Sequence, residues 1–153
     1  MNKAELIAAI QAALQEEFER RLSASRETRA GGNDEESRAE DKYDTLSTEQ
    51  NYLADGLAKQ AQSAREALDA YEKLVHRSFA LSDPIDLGAA VELSLPRERA
   101  WFFLGPAGGG QELQFDGKLI TIITPESPLG TQLRGRKVGD ATTRPPARIE
   151  KVL

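Results

Sequence analysis

At 153 residues the chain sits in the single-domain size range, so one modest core, or a small core with an extended element attached, is the most it can build, and a large multidomain enzyme is excluded. It has no cysteine and one histidine, His76, which removes disulfides, thiolate zinc sites, cysteine nucleophiles and histidine-dependent triads. A formal net charge of -5 argues against a general grip on nucleic-acid phosphates, leaving carboxylate chemistry or plain binding.

The start of the chain carries Glu5, Glu16 and Glu17 among its apolar residues, so no signal peptide is predicted. No segment approaches the 18 apolar residues of a membrane span, and the expected setting is soluble and cytoplasmic, with no membrane partner. Residues 1–76 hold 10 Lys and Arg against 16 Asp and Glu, while residues 77–153 hold 10 against 9, so the acidity belongs to the first half. Proline divides the chain in the same way, because all seven prolines occur from Pro84 onward and nothing before it interrupts a long helix.

Ile7, Ile10, Leu14, Phe18 and Leu22 recur at spacings of three and four and predict a helix over about 3–29. A second stripe, through Tyr43, Leu46, Leu53, Leu57, Ala64, Leu68, Tyr71 and Val75, approaches a seven-residue repeat and predicts a coiled-coil seam over about 36–76. Gly31-Gly32-Asn33-Asp34 lies between them and offers residues that close one helix and cap the next. The fold class expected is therefore α+β: an antiparallel coiled-coil helical hairpin over 1–76, its acidic tip near 31–44, followed by a small antiparallel sheet domain over 77–153. Each arm would be roughly 40 Å long or more, at about 1.5 Å per residue.

In the second half, strands are predicted at 89–95, 100–104, 112–115, 119–124 and 148–153, separated by turn residues at Pro96, Gly105 to Gly110 and Asp116-Gly117. One short helix follows Ser127, with Pro128 at its first position, and stops at Gly135. The expected core is Val91, Leu93, Trp101, Phe103, Leu119, Ile120, Ile122 and Leu133.

Residues 34–44 hold six acids against two bases where the helices meet. Solvation and the helix dipole account for such a cluster, but carboxylates on the end of a rigid arm could equally hold Mg²⁺ or orient a water in another molecule's cleft. Gly108-Gly109-Gly110 lacks the spacing of a phosphate loop and reads as a hairpin connection. His76, at the end of the second helix, fits a dipole contact or plain exposure better than catalysis. Arg134, Arg136 and Lys137 form a small basic cluster, either ordinary surface or part of a docking face.

Residues 124–140 carry Ser127-Pro128-Leu129-Gly130, then Leu133, Gly135 and Val138-Gly139-Asp140. This run resembles the C-terminal domain signature of the GreA/GreB transcript cleavage factors. Tyr43, followed by Glu49-Gln50 and Tyr52, is similar to the run just after the hairpin tip in that family, and the order of hairpin and sheet domain agrees. The resemblance implies a monomeric, non-enzymatic regulator of transcription elongation whose FKBP-like C-terminal domain docks at the secondary channel of bacterial RNA polymerase while the hairpin enters it. Nascent RNA and DNA would be met only within the elongation complex. The implied docking residues are Ser127, Pro128, Leu129, Gly130, Leu133, Arg134 and Gly135. The family's tip carboxylates, which help hold Mg²⁺ in the polymerase active site, fall on Glu36 and Ala39, so only the first is acidic. A tip rebuilt around Glu36, Glu40 and Asp41, with Asp34 nearby, would bind the metal only inside the polymerase. The alternative is a non-catalytic channel binder, similar to the Rnk branch, that competes with cleavage factors.

Overall fold

The computed structural model describes residues 1–32 and 41–153, with side chains described over 1–28, at 49 and over 53–153. Helix α1 (Lys3–Gly32) begins behind Asn2, whose Oδ1 accepts from the Ala4 and Glu5 amides at 3.0 and 3.5 Å while its Nδ2 donates to Glu5 Oε1 at 3.0 Å. The reciprocal cap satisfies amides that the first turn leaves without partners. The helix runs through Gly31 and Gly32, beyond the expected end, because glycine costs about 1 kcal/mol against alanine in a helix but meets no steric bar there. Helix α2 (Asp41–Glu72) ends four residues earlier than expected, its last turn tightening as the Leu74 amide donates to Tyr71 O at 3.2 Å.

The chain divides into two compact units, one of residues 14–68 and one of residues 1–13 with 69–153. In the first, Arg21 Nη1 donates to Gln60 Oε1 at 3.1 Å and Ser25 Oγ donates to Ala54 O at 3.0 Å. Later residues of α1 thus meet earlier residues of α2, which is the antiparallel helical hairpin expected. Its seam keeps the expected Leu57, Ala64, Leu68 and Tyr71 and departs from the expected stripe at Leu53, where Ala54 is buried instead. Ala54, Ala61, Ala64 and Leu68 are buried, while Leu53 is 58% exposed. Positions 54, 57, 61, 64 and 68 alternate spacings of three and four, and alanine there lets two backbones approach closely. Tyr43 and Leu46 lie in α2 with their side chains outside those described. Ser25 is a buried hydroxyl whose bond crosses between the helices. Ser25→Ala is expected to cost about 1 kcal/mol, seen as a melting point about 2–4 °C lower by circular dichroism.

The second unit carries a six-stranded sheet of order β3-β4-β2-β1-β6-β5, with β1 Ala90–Ser94, β2 Arg99–Leu104, β3 Glu112–Phe115, β4 Lys118–Ile123, β5 Ala141–Thr143 and β6 Pro146–Val152. Helix α3 (Pro128–Leu133) is the expected short helix. All strand pairs are antiparallel except β2 and β4, which run parallel with Trp101 opposite Ile120 and Phe103 opposite Ile122. The sheet is otherwise the antiparallel one expected. The difference arises because β3 is laid at the edge and β4 returns between β3 and β2, a crossover long enough for parallel pairing. The β3–β4 hairpin turns at Asp116 and Gly117, both at positive φ (51° and 70°), as a two-residue turn with matching twist requires.

One face of the sheet packs Val91, Leu93, Leu104, Ile123 and Ile149 against Leu129 and Leu133 of α3 and against Phe79 and Ile85. Strand alternation turns Trp101, Phe103, Ile120 and Ile122, all buried, to the other face. There Tyr71 stacks on Phe103 with ring centroids 6.2 Å apart, and its hydroxyl donates to Ala107 O at 3.0 Å. Burial pushes the Tyr71 phenol far above its usual range, so it remains a donor. Gly105 is required beside it, since a Cβ there would lie 2.1 Å from the Tyr71 hydroxyl. Leu119, expected in the core, is 47% exposed at the start of β4, and Val75, expected on the helical stripe, is 75% exposed because α2 ends before it.

Candidate docking site and acidic tip

Thr124 to Asp140 folds as a capped turn, a short helix and a second turn. Ser127 is the N-cap of α3. Its Oγ accepts from the Gly130 amide at 3.0 Å and donates to Thr124 O at 2.7 Å, while Pro128 takes the first helical position, where its missing N–H costs nothing. Thr131 Oγ1 donates to Pro125 O at 3.1 Å and Ser127 O at 3.0 Å, tying the helix back to the loop before it. Gly130 faces Thr124 so closely that an added Cβ would fall 1.9 Å from Thr124 O.

Leu129 and Leu133 point into the core and are 9% and 0% exposed. The implied docking residues thus separate by orientation: these two and Gly130 are buried, Ser127 is half-buried, and Pro128, Arg134 and Gly135 face solvent. Arg134 Nε donates to Asp86 Oδ1 at 3.1 Å. Gly135, at φ +82°, donates to Ile85 O at 2.8 Å, and the Ile85 amide donates to Arg136 O at 2.8 Å, so the chain leaving α3 is stitched to the segment entering the sheet. Arg134, Arg136 and Lys137 are all exposed on this stretch.

The Val138-Gly139-Asp140 element is a turn. Asp140 Oδ2 accepts from the Lys137 amide at 2.8 Å, Gly139 sits at φ +92°, and the Gly139 amide donates to Ile149 O at 2.8 Å. Gln132, which the sequence did not single out, clamps α3 to the β5–β6 turn. Its Oε1 accepts from the Thr143 and Arg144 amides at 2.8 and 3.2 Å, and its Nε2 donates to Arg144 O at 2.6 Å. A glutamine one turn inside a short helix carries no signal of such a contact.

Asp34, Glu36, Ala39 and Glu40 lie outside the described residues, and Asp41 opens α2 with its side chain outside those described. Glu49 is exposed, while the side chains of Gln50 and Tyr52 are not among those described. Among the described residues, no group of three or more His, Cys, Asp or Glu is placed to hold a metal ion. Among the described residues, too, no helix is long and apolar enough to cross a membrane. Buried Glu92, also missed in the sequence, has Oε2 3.7 Å from Lys151 Nζ and accepts no hydrogen bond at that oxygen.

Fold and motif together define a helical hairpin joined to a sheet unit that bears one N-capped short helix. No protein-family model and no curated protein matches the chain. Among solved structures it is similar to the GreA factor homolog 1 (Gfh1) protein of Thermus thermophilus, at 17% identity over 97% of this chain and 93% of that one, with a TM-score of 0.36. It is similar also to a structure of the transcription factor Gfh1, at 22% identity over 93% and 92% of the two chains with a TM-score of 0.36, and to Thermus aquaticus Gfh1, at 18% identity over 92% of each with a TM-score of 0.35.

Proposed function

We propose that this chain is an elongation regulator of the GreA/GreB kind, an accessory factor that binds bacterial RNA polymerase at its secondary channel and acts through the polymerase active site. The observation that carries this reading is the run from Thr124 to Asp140, whose Ser-Pro-Leu-Gly, Leu133, Gly135 and Val-Gly-Asp elements keep the spacing of that family's signature. It stands on a sheet unit that follows a helical hairpin, the order the family has.

In this reading the exposed groups around α3, Pro128, Arg134, Gly135 and the neighbouring Arg136 and Lys137, meet the polymerase, and the buried Leu129 and Leu133 hold the helix that presents them. Glu36, Glu40 and Asp41 would supply oxygen ligands to the Mg²⁺ of the polymerase active site, where the metal lowers the barrier to attack of water on the RNA phosphodiester. A second reading, a channel binder that blocks without promoting cleavage, rests on Ala39 standing where the family has its second tip acid.

The test is RNA cleavage in a stalled, backtracked elongation complex, with polymerase binding measured beside it. Binding with accelerated cleavage supports the first reading, binding without it the second, and no binding removes both. Leu129→Asp places a carboxylate in the core and is expected to cost about 3 kcal/mol or more, so its loss of binding comes with a lowered melting point. Arg134→Glu breaks only an exposed ion pair, worth about 1 kcal/mol or less, and is expected to weaken polymerase binding in a normally folded protein.

A further inference from the structure

Residues 1–13 belong to the same compact unit as residues 69–153, and two cations from these segments meet on one aromatic ring. Lys3 Nζ lies 4.6 Å and Arg77 Cζ 4.2 Å from the ring centroid of Phe79, which is 9% exposed. Lys3 Nζ also donates to the Arg77 carbonyl, and Arg77 Nη2 donates to Pro84 O at 3.4 Å. Among the described residues neither cation forms an ion pair with a carboxylate. Glu5 accepts from the Asn2 side chain at 3.0 Å, and Asp83 accepts from the Ala80 amide at 2.9 Å.

Two like charges therefore share one ring, and their partners are its π face and the Arg77 and Pro84 carbonyls rather than a carboxylate. Burial first, and the Arg77 charge second, lower the Lys3 ammonium below its usual range, the direction expected when a cation is desolvated beside another. A bound anion would offset the second of these causes, the repulsion between the two cations.

The space for one exists. Lys3 and Arg77, with Asn2, His76 and Ser78, line a pocket of about 260 Å³ walled on its apolar side by Ala4 and Ile7. Its lining contains no acid and includes Lys3, Arg77, His76 and Ser78, residue types whose donors suit the several acceptor oxygens of one tetrahedral oxyanion. The Ala4 and Glu5 amides at the start of α1 are already bonded to Asn2, so these side chains would supply the grip. The volume falls below the range of about 300–1,000 Å³ typical of drug-sized ligand pockets, so it suits an anionic group rather than a whole nucleotide.

We propose that the pocket formed by Lys3, His76, Arg77 and Ser78 binds a phosphate group, either free inorganic phosphate or the phosphate of a small monoester. This site lies outside the surfaces of the proposed function, and its test involves no polymerase, so the two readings fail independently.

The experiment is calorimetric titration of the full chain with inorganic phosphate and, separately, with glycerol phosphate, against chloride at matched ionic strength. The expected result is saturable binding at one site per chain that chloride does not reproduce, weakened at least tenfold in both Lys3→Gln and Arg77→Gln. Lys3→Arg should retain binding, and circular dichroism checks that each variant is folded. Tighter binding of the ester would assign the pocket to a phosphorylated metabolite, and equal or tighter binding of inorganic phosphate would assign it to the free anion. Non-saturable heats, equal response to chloride, or unchanged affinity in folded Lys3→Gln and Arg77→Gln proteins would overturn the proposal.

Discussion

Gly130→Ala is expected to destabilise the sheet unit by about 3 kcal/mol or more, a fall in melting temperature on the order of 10 °C. The added Cβ would lie 1.9 Å from Thr124 O, 2.8 Å from Thr124 C and 2.9 Å from Ser127 Oγ. The first two of these are backbone atoms, and no side-chain rotation relieves them. Thr124 cannot retreat freely, because its carbonyl accepts both the Ser127 amide at 3.0 Å and the Ser127 hydroxyl at 2.7 Å, so moving it dismantles the cap of α3. Displacing α3 instead pulls Leu129 and Leu133 from the core cluster. Gly56→Ala is the control: a Cβ there meets nothing within 4 Å, and alanine in a helix interior should stabilise by about 0.5–1 kcal/mol. A Gly130→Ala protein melting like wild type would show that the turn before α3 can yield, and that the family-like glycine is not held there by packing.

What could be read in advance followed how local each signal is. The Asp116-Gly117 turn and the Ser127-Pro128 helix start depend on a few adjacent residues, and both stand where the sequence placed them. Which strand lies beside which is not local. The parallel pairing of β2 with β4 follows from β3 taking the edge, and nothing within Arg99–Leu104 or Lys118–Ile123 announces it. Strand β5 escaped notice because it has three residues, of which only Thr142 is buried. The helical seam departs from the expected stripe at one place, since Leu53 outranks Ala54 in hydrophobicity while a close helix pair selects the smaller side chain.

The candidate site divides in the same manner. Spacing identified Ser127 to Gly135 as a unit, but only the fold separates Leu129 and Leu133, which hold it, from Pro128 and Arg134, which face outward. The need for glycine at position 130 depends on where Thr124 O lies, and the meeting of Lys3 with Arg77 joins residues 74 apart in the chain. Neither contact leaves a mark in a local pattern.

In the channel-regulator reading, Glu36→Gln, Glu40→Gln, Asp41→Asn is expected to reduce stimulated RNA cleavage by about a hundredfold or more while leaving polymerase affinity within a few fold. A carboxylate that orients a metal-bound water acts in the transition state, and its loss commonly removes orders of magnitude in rate. The same charge at a solvated edge adds little to affinity, since it is screened and pays side-chain entropy to stay in place. The substitutions keep size and polarity and remove only charge, taking the formal net charge from -5 to -2. Rate and affinity should therefore separate, and both are measured on one stalled elongation complex, by RNA cleavage time course and by displacement of a labelled factor. Equal loss of both would place the acids in docking rather than in chemistry. If wild type itself adds no cleavage yet displaces a genuine cleavage factor, the blocking reading holds. Ala39 is then its physical basis, because the residue where the family has its second tip acid offers the metal no oxygen ligand.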